Sequence, residues 1–277
     1  KTMMDDYGNP SAMHQKGVES ERYVKEAAGQ IAATLKVQEK EIYFTSGGTE
    51  SNNWALIGTA LANRRQGNHI IISSIEHPAV SAPAEFLESQ GFEVTRLGVN
   101  TQGQISLEEL KEAIRPETIL VSVMFVNNEI GAVEPDCRDR GTDQTGESED
   151  VFSCRCDSGI WKIPDSSEKM HIDMLSASGH KIHGPKGTGF LYISEKMKIV
   201  PIIYGGGQQK GMRSGTDNVP GIAGLGLASK MVYDHLEENV NHSISSRVFC
   251  RRTRKDGSGC VHGPHGEAAA PQIVSAA

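Results

Sequence analysis

The stretch Ser176-Ala177-Ser178-Gly179-His180-Lys181-Ile182-His183-Gly184-Pro185-Lys186-Gly187 decides the fold. A mostly apolar run, Ile172 to Leu175, precedes it and reads as a buried strand; a second, Phe190 to Ile193, follows. Lys181 therefore stands at the mouth between two strands, among small residues that let a bulky ring and its charged group approach the backbone. A lysine amine so placed is suited to a Schiff base with an aldehyde-bearing cofactor. A lone Ser-Gly-His-Lys equally describes a surface lysine in a Gly-rich loop; the length of this string and its company elsewhere favour the chemical reading.

Upstream, Val24, Ala27, Ala28, Ile31, Ala32 and Leu35 have helical spacing, which predicts a helix over Val18 to Leu35, and Glu41 to Phe44 is a short strand. Thr45-Ser46-Gly47-Gly48-Thr49-Glu50-Ser51-Asn52 then turns from strand into a helix over Glu50 to Leu61. Gly47 and Gly48 permit the tight turn, and the first N–H groups of the new helix make an anion site. His69 to Ser73 is a strand that ends near Glu76-His77, with a helix starting at Pro78. Strand, helix and strand follow over Phe92–Leu97, Leu107–Ile114 and Thr118–Val126, leading into Asn127-Asn128-Glu129. An amide there can donate to an ionised oxygen. Ile199 to Tyr204 reads as a strand and Pro220 to Tyr233 as an apolar-faced helix. This alternation predicts an α/β fold with a mainly parallel sheet and ligands at the carboxyl ends of its strands.

The composition fits that class. The 277 residues carry 37% hydrophobic and 23% charged side chains, enough for one large α/β domain or a domain and a half. A net charge of −7 argues against a nucleic-acid partner. The basic run Arg247, Arg251, Arg252, Arg254 and Lys255 has only Phe249 as an aromatic neighbour. No apolar run approaches the roughly 20 residues of a membrane span, and no signal-peptide pattern follows Lys1, so the cytoplasm is the default compartment. Five cysteines, Cys137, Cys154, Cys156, Cys250 and Cys260, form no regular framework. Cys154-Arg155-Cys156 lacks a second ligand pair at matching spacing, so no metal site is expected.

The lysine string resembles the pyridoxal-phosphate (PLP) motif of the cysteine desulfurases, within the class V aminotransferase superfamily. Thr45 to Asn52, Glu76-His77, Val126 to Gly131 and Gly211-Met212-Arg213-Ser214-Gly215-Thr216 resemble the same family in the same order. The likeness runs from about Tyr7 to Pro135 and from about Met170 to Val240. It implies the large domain of a fold-type I PLP-dependent transferase, with about seven strands and helices on both faces, over residues 1–242. A remnant of the small domain, most of which is missing, is implied over 243–277. It further implies that Lys181 carries the cofactor and moves protons, that His77 stacks on the ring, and that Asn128 donates to its phenolic oxygen. Gly48, Thr49, Ser178 and His180 complete the cofactor contacts. Thr216 reaches across a homodimer interface to the phosphate of a second copy. The implied reaction converts L-cysteine to L-alanine and passes sulfur to an enzyme cysteine, then to a scaffold protein for iron–sulfur or thio-cofactor assembly. Selenocysteine lyase, aminotransferase and a non-catalytic fragment are the alternatives. The family's opening strand, its nucleophilic-cysteine loop and its carboxylate-holding arginine match no string here. The resemblance therefore implies truncation at both ends and an inactive chain.

Two segments break the likeness. Residues 136–150 are acidic, with no helical or strand period, where the family has an amphipathic helix. The family next has His-Val-Asp-x-x-Gln, whose aspartate keeps the PLP ring nitrogen protonated. Here Arg155 stands at that place, a charge of the wrong sign, with Asp157 two residues on. Ser153 to Ile160 can be encoded as TCA TGT CGA TGC GAT TCA GGC ATA. Read one base later, the same letters give His-Val-Asp-Ala-Ile-Gln-Ala. The expectation is that roughly 136–167 is translated out of frame, with a second slipped segment past His242. Sequencing the encoding DNA tests this: paired compensating insertions and deletions are expected around the first segment, and their absence relative to intact relatives sinks the idea.

Overall fold

The structure, a computed structural model, describes residues 1–134 and 172–235, and the backbone of 152–156, 261–262 and 275–276. Its centre is a seven-stranded sheet built from β1 (Ile42–Thr45), β2 (His69–Ser73), β3 (Glu93–Leu97), β4 (Thr118–Ser122), β5 (Phe152–Cys156), β6 (Met174–Ser178) and β7 (Gly189–Ile193). Their order across the sheet is β1-β7-β6-β5-β4-β2-β3. β7 runs antiparallel to both its neighbours, while β6, β5, β4, β2 and β3 pair in parallel. Six strands consequently point the same way, and their carboxyl ends share one edge.

Alternation along the strands assigns the two faces, as the two-residue period requires. Phe190 and Tyr192 pack with Leu175 and Ala177 against α1 (Gln15–Leu35) and the last long helix. That helix, α6, spans Val219–Asp234. Ile71 and Val121 are buried on that side too, against α5 (Leu107–Ala113). Leu191, Ile193, Met174, Leu120, Ile70 and Ile72 turn the other way, onto α2 (Gly48–Asn53), α3 (Thr59–Asn63) and α4 (Pro78–Ser89). The expected layering, helices on both faces of a mainly parallel sheet, is what the chain adopts.

Three details depart from expectation. α1 begins at Gln15 because the His14 ring accepts the Gly17 N–H and caps it. α2 and α3 are joined by a π-helical turn, Trp54–Gly58. Ile199 to Tyr204 forms no strand. Pro201 removes a ladder donor from that run, and the Val200 backbone groups are already used, its N–H by Gly58 O and its carbonyl by the Trp54 indole. A two-residue antiparallel pairing, β8 (Val261–His262) with β9 (Ser275–Ala276), lies in the stretch expected to open the small domain. The anomalous segment is described only at β5. The rest of 136–167, Asp157, and the side chains of Arg155 and all five cysteines lie outside the described residues.

Gly189 is the tightest point of the sheet. It pairs with Thr45 on one side and Ser178 on the other. A Cβ there would lie 2.5 Å from the Ala177 carbonyl oxygen and 2.7 Å from Gly47 Cα, both backbone atoms that cannot swing aside. Gly189→Ala is expected to cost about 1–3 kcal/mol, read as a lower urea midpoint. An unchanged midpoint would mean that β7 can shift outward freely.

Candidate functional site

Every sequence-predicted site residue lies beyond a strand's carboxyl end or in the loop strapped to that edge. At the end of β1, Gly47 has φ +148°, a conformation that suits glycine. Thr45 Oγ1 bonds Ser51 Oγ at 2.7 Å, and Ser51 Oγ donates to Phe190 O, so the turn is anchored to β7. No side chain caps α2. The first N–H groups of that helix, those of Gly48 and Thr49, are left for an outside acceptor.

The lysine turn lies beside it. After β6 the chain enters a 3₁₀ turn, Gly179–Ile182, closed by His183 at φ +60° and by Gly184 N–H donating to Gly179 O. Ser178 Oγ and His180 Nδ1 are 2.7 Å apart. Burial, then the charges of Lys181 and Lys186, lower the His180 pKa, so its ring is neutral at pH 7. Lys181 is half-buried and has no carboxylate partner among the described residues. Cβ atoms built on Gly47 and Gly48 would touch Ser178, at 3.7 and 3.6 Å, so the anion turn and the lysine turn are neighbours.

His77 caps α4: its Nδ1 accepts the Ala79 N–H at 3.0 Å. The capping role weighed against ring stacking is thus present, and it leaves the ring's faces available. An accepting Nδ1 puts the proton of the neutral ring on Nε2. His77 and Thr49 line one cleft of about 540 Å³ with Asn53, Pro78 and Phe86. Lys181, Ser178 and Asn128 do not line that cleft. Asn128 is half-buried beyond β4, where its Nδ2 donates to Glu129 Oε1 at 2.6 Å.

Thr216 is exposed, in a loop held to the same edge by side chains to which the sequence analysis assigned no role. The Gln209 amide accepts from Phe44 N–H at 2.7 Å and donates to Phe44 O at 2.9 Å, completing edge strand β1 as another strand would. Arg213 forks onto Glu50 at 2.8 and 3.2 Å, and Glu50 also accepts the Ser46 N–H. Burial alone would push the Glu50 carboxyl up. The Arg213 guanidinium and Ser46 outweigh it and hold the group below its ordinary value. Opposite charges in two of the quoted motif strings were the available signal for this pair. Among the described residues no cluster of His, Cys, Asp and Glu could hold a metal ion, and no helix is long and apolar enough to cross a membrane.

Residues 1–248 match the family described as Aminotransferase class-V. The chain belongs to that family. Among curated proteins, cysteine desulfurase IscS of Methanosarcina thermophila is 47% identical over 237 residues, covering 86% of this chain and 58% of that protein. A NifS-like protein of known structure has a TM-score of 0.92 at 34% identity, covering 99% of this chain and 75% of that one. SspA, solved in complex with cysteine, has a TM-score of 0.76 at 41% identity, covering 83% and 66%. Within the family, then, the chain is similar to cysteine desulfurases, and it spans less than two thirds of the Methanosarcina protein.

The Arg213–Glu50 pair is 19% and 12% exposed at its side chains. Arg213→Ala is expected to cost about 2–4 kcal/mol at pH 7 by stranding the carboxylate. A carboxyl whose folded pKa is lowered stabilises above its unfolded value and loses that contribution as pH falls through the folded one. The gap between wild type and variant should therefore narrow below about pH 4. Urea titrations at several pH values check this, and a gap that stays constant would remove the ion pair as its cause.

Proposed function

We propose that this chain is the cofactor-binding body of a PLP-dependent cysteine desulfurase, which takes sulfur from L-cysteine, leaves L-alanine, and supplies iron–sulfur or thio-cofactor assembly. The observation supporting it most directly is the lysine turn after β6 lying beside a helix start after β1 that no side chain caps among the described residues. The donor set fits PLP: an amine without a carboxylate partner among the described residues, free N–H groups for a phosphate, and a glycine-lined approach between them. PLP, when bound, supplies an electron sink for bond breaking at the substrate's carbons.

The residues then take these roles. Lys181 would hold the cofactor's aldehyde carbon and supply an amine for proton transfer. The N–H groups of Gly48 and Thr49, with the Thr49 and Ser178 hydroxyls and His180, would receive the phosphate. His77, held by its cap to Ala79 N–H, would stack on the ring. Asn128, whose amide donates to Glu129, would donate to the phenolic oxygen. Thr216 is exposed on the Gly-rich loop, where a second copy of the chain in a homodimer would bring it to the other copy's phosphate. The broader reading places residues 1–242 in the large domain and 243–277 in the small one, in the cytoplasm, with a sulfur-accepting scaffold protein as partner.

Incubating the chain with PLP and reducing with borohydride should fix one adduct, which peptide mass spectrometry places on Lys181. Lys181→Ala should lower labelling by about tenfold or more, one lost covalent anchor being worth at least that. Label found mainly on Lys186 or Lys210 would overturn the assignment.

A further inference from the structure

Two side chains next to the proposed ring contacts are turned inward and cross between loops. Glu76 precedes His77 in the loop after β2, and its Oε1 accepts the Met124 N–H at 2.6 Å, just beyond the end of β4. The same oxygen accepts from Ser73 Oγ at 2.9 Å. Asn127 precedes Asn128 in the loop after β4 and reaches the other way. Its Nδ2 donates to Ile75 O at 3.1 Å, while its Oδ1 accepts the N–H groups of Glu129 and Ile130 at 2.9 and 3.0 Å. Each loop thus lends a side chain to the backbone of the other. β2 and β4 are parallel neighbours in the sheet, so both loops leave the same edge side by side.

We propose that Glu76 and Asn127 are positioning residues, a reciprocal clasp that sets the separation between the His77 ring and the Asn128 amide. This rests on the reading of the site as a PLP site. Consecutive Cα atoms are about 3.8 Å apart, so a loop held at Glu76 or Asn127 cannot move its neighbour far. The bonds are local to the ring contacts and lie beyond the ladder: β2 pairs with β3 from His69 to Ser73 and with β4 from His69 to Ile72.

The Glu76 carboxyl is an unusual choice for a strap. Its Oε2 is sealed from solvent and has no hydrogen-bond partner among the described residues. Burial above all, then the nearby Glu134 carboxyl, pushes its pKa up to about 8 against the opposing pull of Met124 N–H and Ser73. Glu134 faces it from the chain beyond β4 and itself accepts the Ile105 N–H. At neutral pH the clasp is therefore made mostly by the protonated acid. Glutamine reproduces that acceptor without a charge.

The test compares wild type, Glu76→Ala, Glu76→Gln and Asn127→Ala. It uses the absorbance spectrum of added PLP and its pH dependence, PLP affinity, and amide hydrogen exchange without cofactor. Glu76→Ala and Asn127→Ala are expected to weaken PLP binding by about tenfold, the size of one lost buried hydrogen bond. They should also shift the pH midpoint of the bound band, which a change in fold stability alone would not move. Loss of exchange protection at Met124 is expected in the first variant and at Glu129 and Ile130 in the second. Glu76→Gln is expected to match wild type. If Glu76→Ala does not fold, Glu76→Gln and Asn127→Ala carry the test. Variants whose band and affinity match wild type, or a Glu76→Gln as damaged as the alanine, overturn the clasp. Failure of wild type itself to take PLP at Lys181 overturns the cofactor reading, and the positioning role with it.

Discussion

The site depends on the fit of β7 between β1 and β6. Gly189 pairs with Thr45 and with Ser178, so strands β1 and β6 stand two strand spacings apart, about 10 Å, while the turns they lead into close up beyond them. A residue with a Cβ at Gly189 would collide with Gly47 Cα, part of the anion turn itself. The antiparallel insertion also explains how two strands distant in sequence end on the same edge. β1 runs the same way as β6 because β7, between them, is antiparallel to both. Once that spacing is set, the remaining loops of the edge need only be tied to one another.

Much of this frame was legible in the residues. His69 to Ser73 was readable to the residue because three isoleucines between polar ends admit no other register, and Pro78 marked the start of α4. Phe190 to Ile193, read as an apolar run after the lysine string, is β7, whose side chains alternate between the two cores. Ile199 to Tyr204 was misread because apolar content alone cannot distinguish a strand from a segment packed by its backbone. There Pro201 was the local sign, and the π turn that supplies Gly58 O was not visible at all.

The site was legible as chemistry and not as mechanics. Lys181, His77 and Asn128 sit within strings whose residue types speak for themselves. What holds those residues lies far away in sequence: Met124 is 48 residues from Glu76, and Arg213 is 163 from Glu50. No periodicity or spacing rule connects such pairs, because only the order of strands in the sheet brings them together. Gln209 is the clearest case, a polar residue in a Gly-rich loop whose amide completes an edge strand.

Two partly buried glutamates of the edge, Glu50 and Glu76, show how the same side chain serves two purposes. Glu50 meets a guanidinium fork and a backbone N–H, and is kept ionised. Its charge offsets that of Arg213, so this strap adds no net field near a turn whose free N–H groups favour an anion. Glu76 meets only a backbone N–H and a hydroxyl, with Glu134 nearby, and stays protonated. As a neutral acid it ties the loop after β2 to the chain just beyond β4. One glutamate is thus neutralised by a cation and the other by a proton, and the anion turn is left for the ligand.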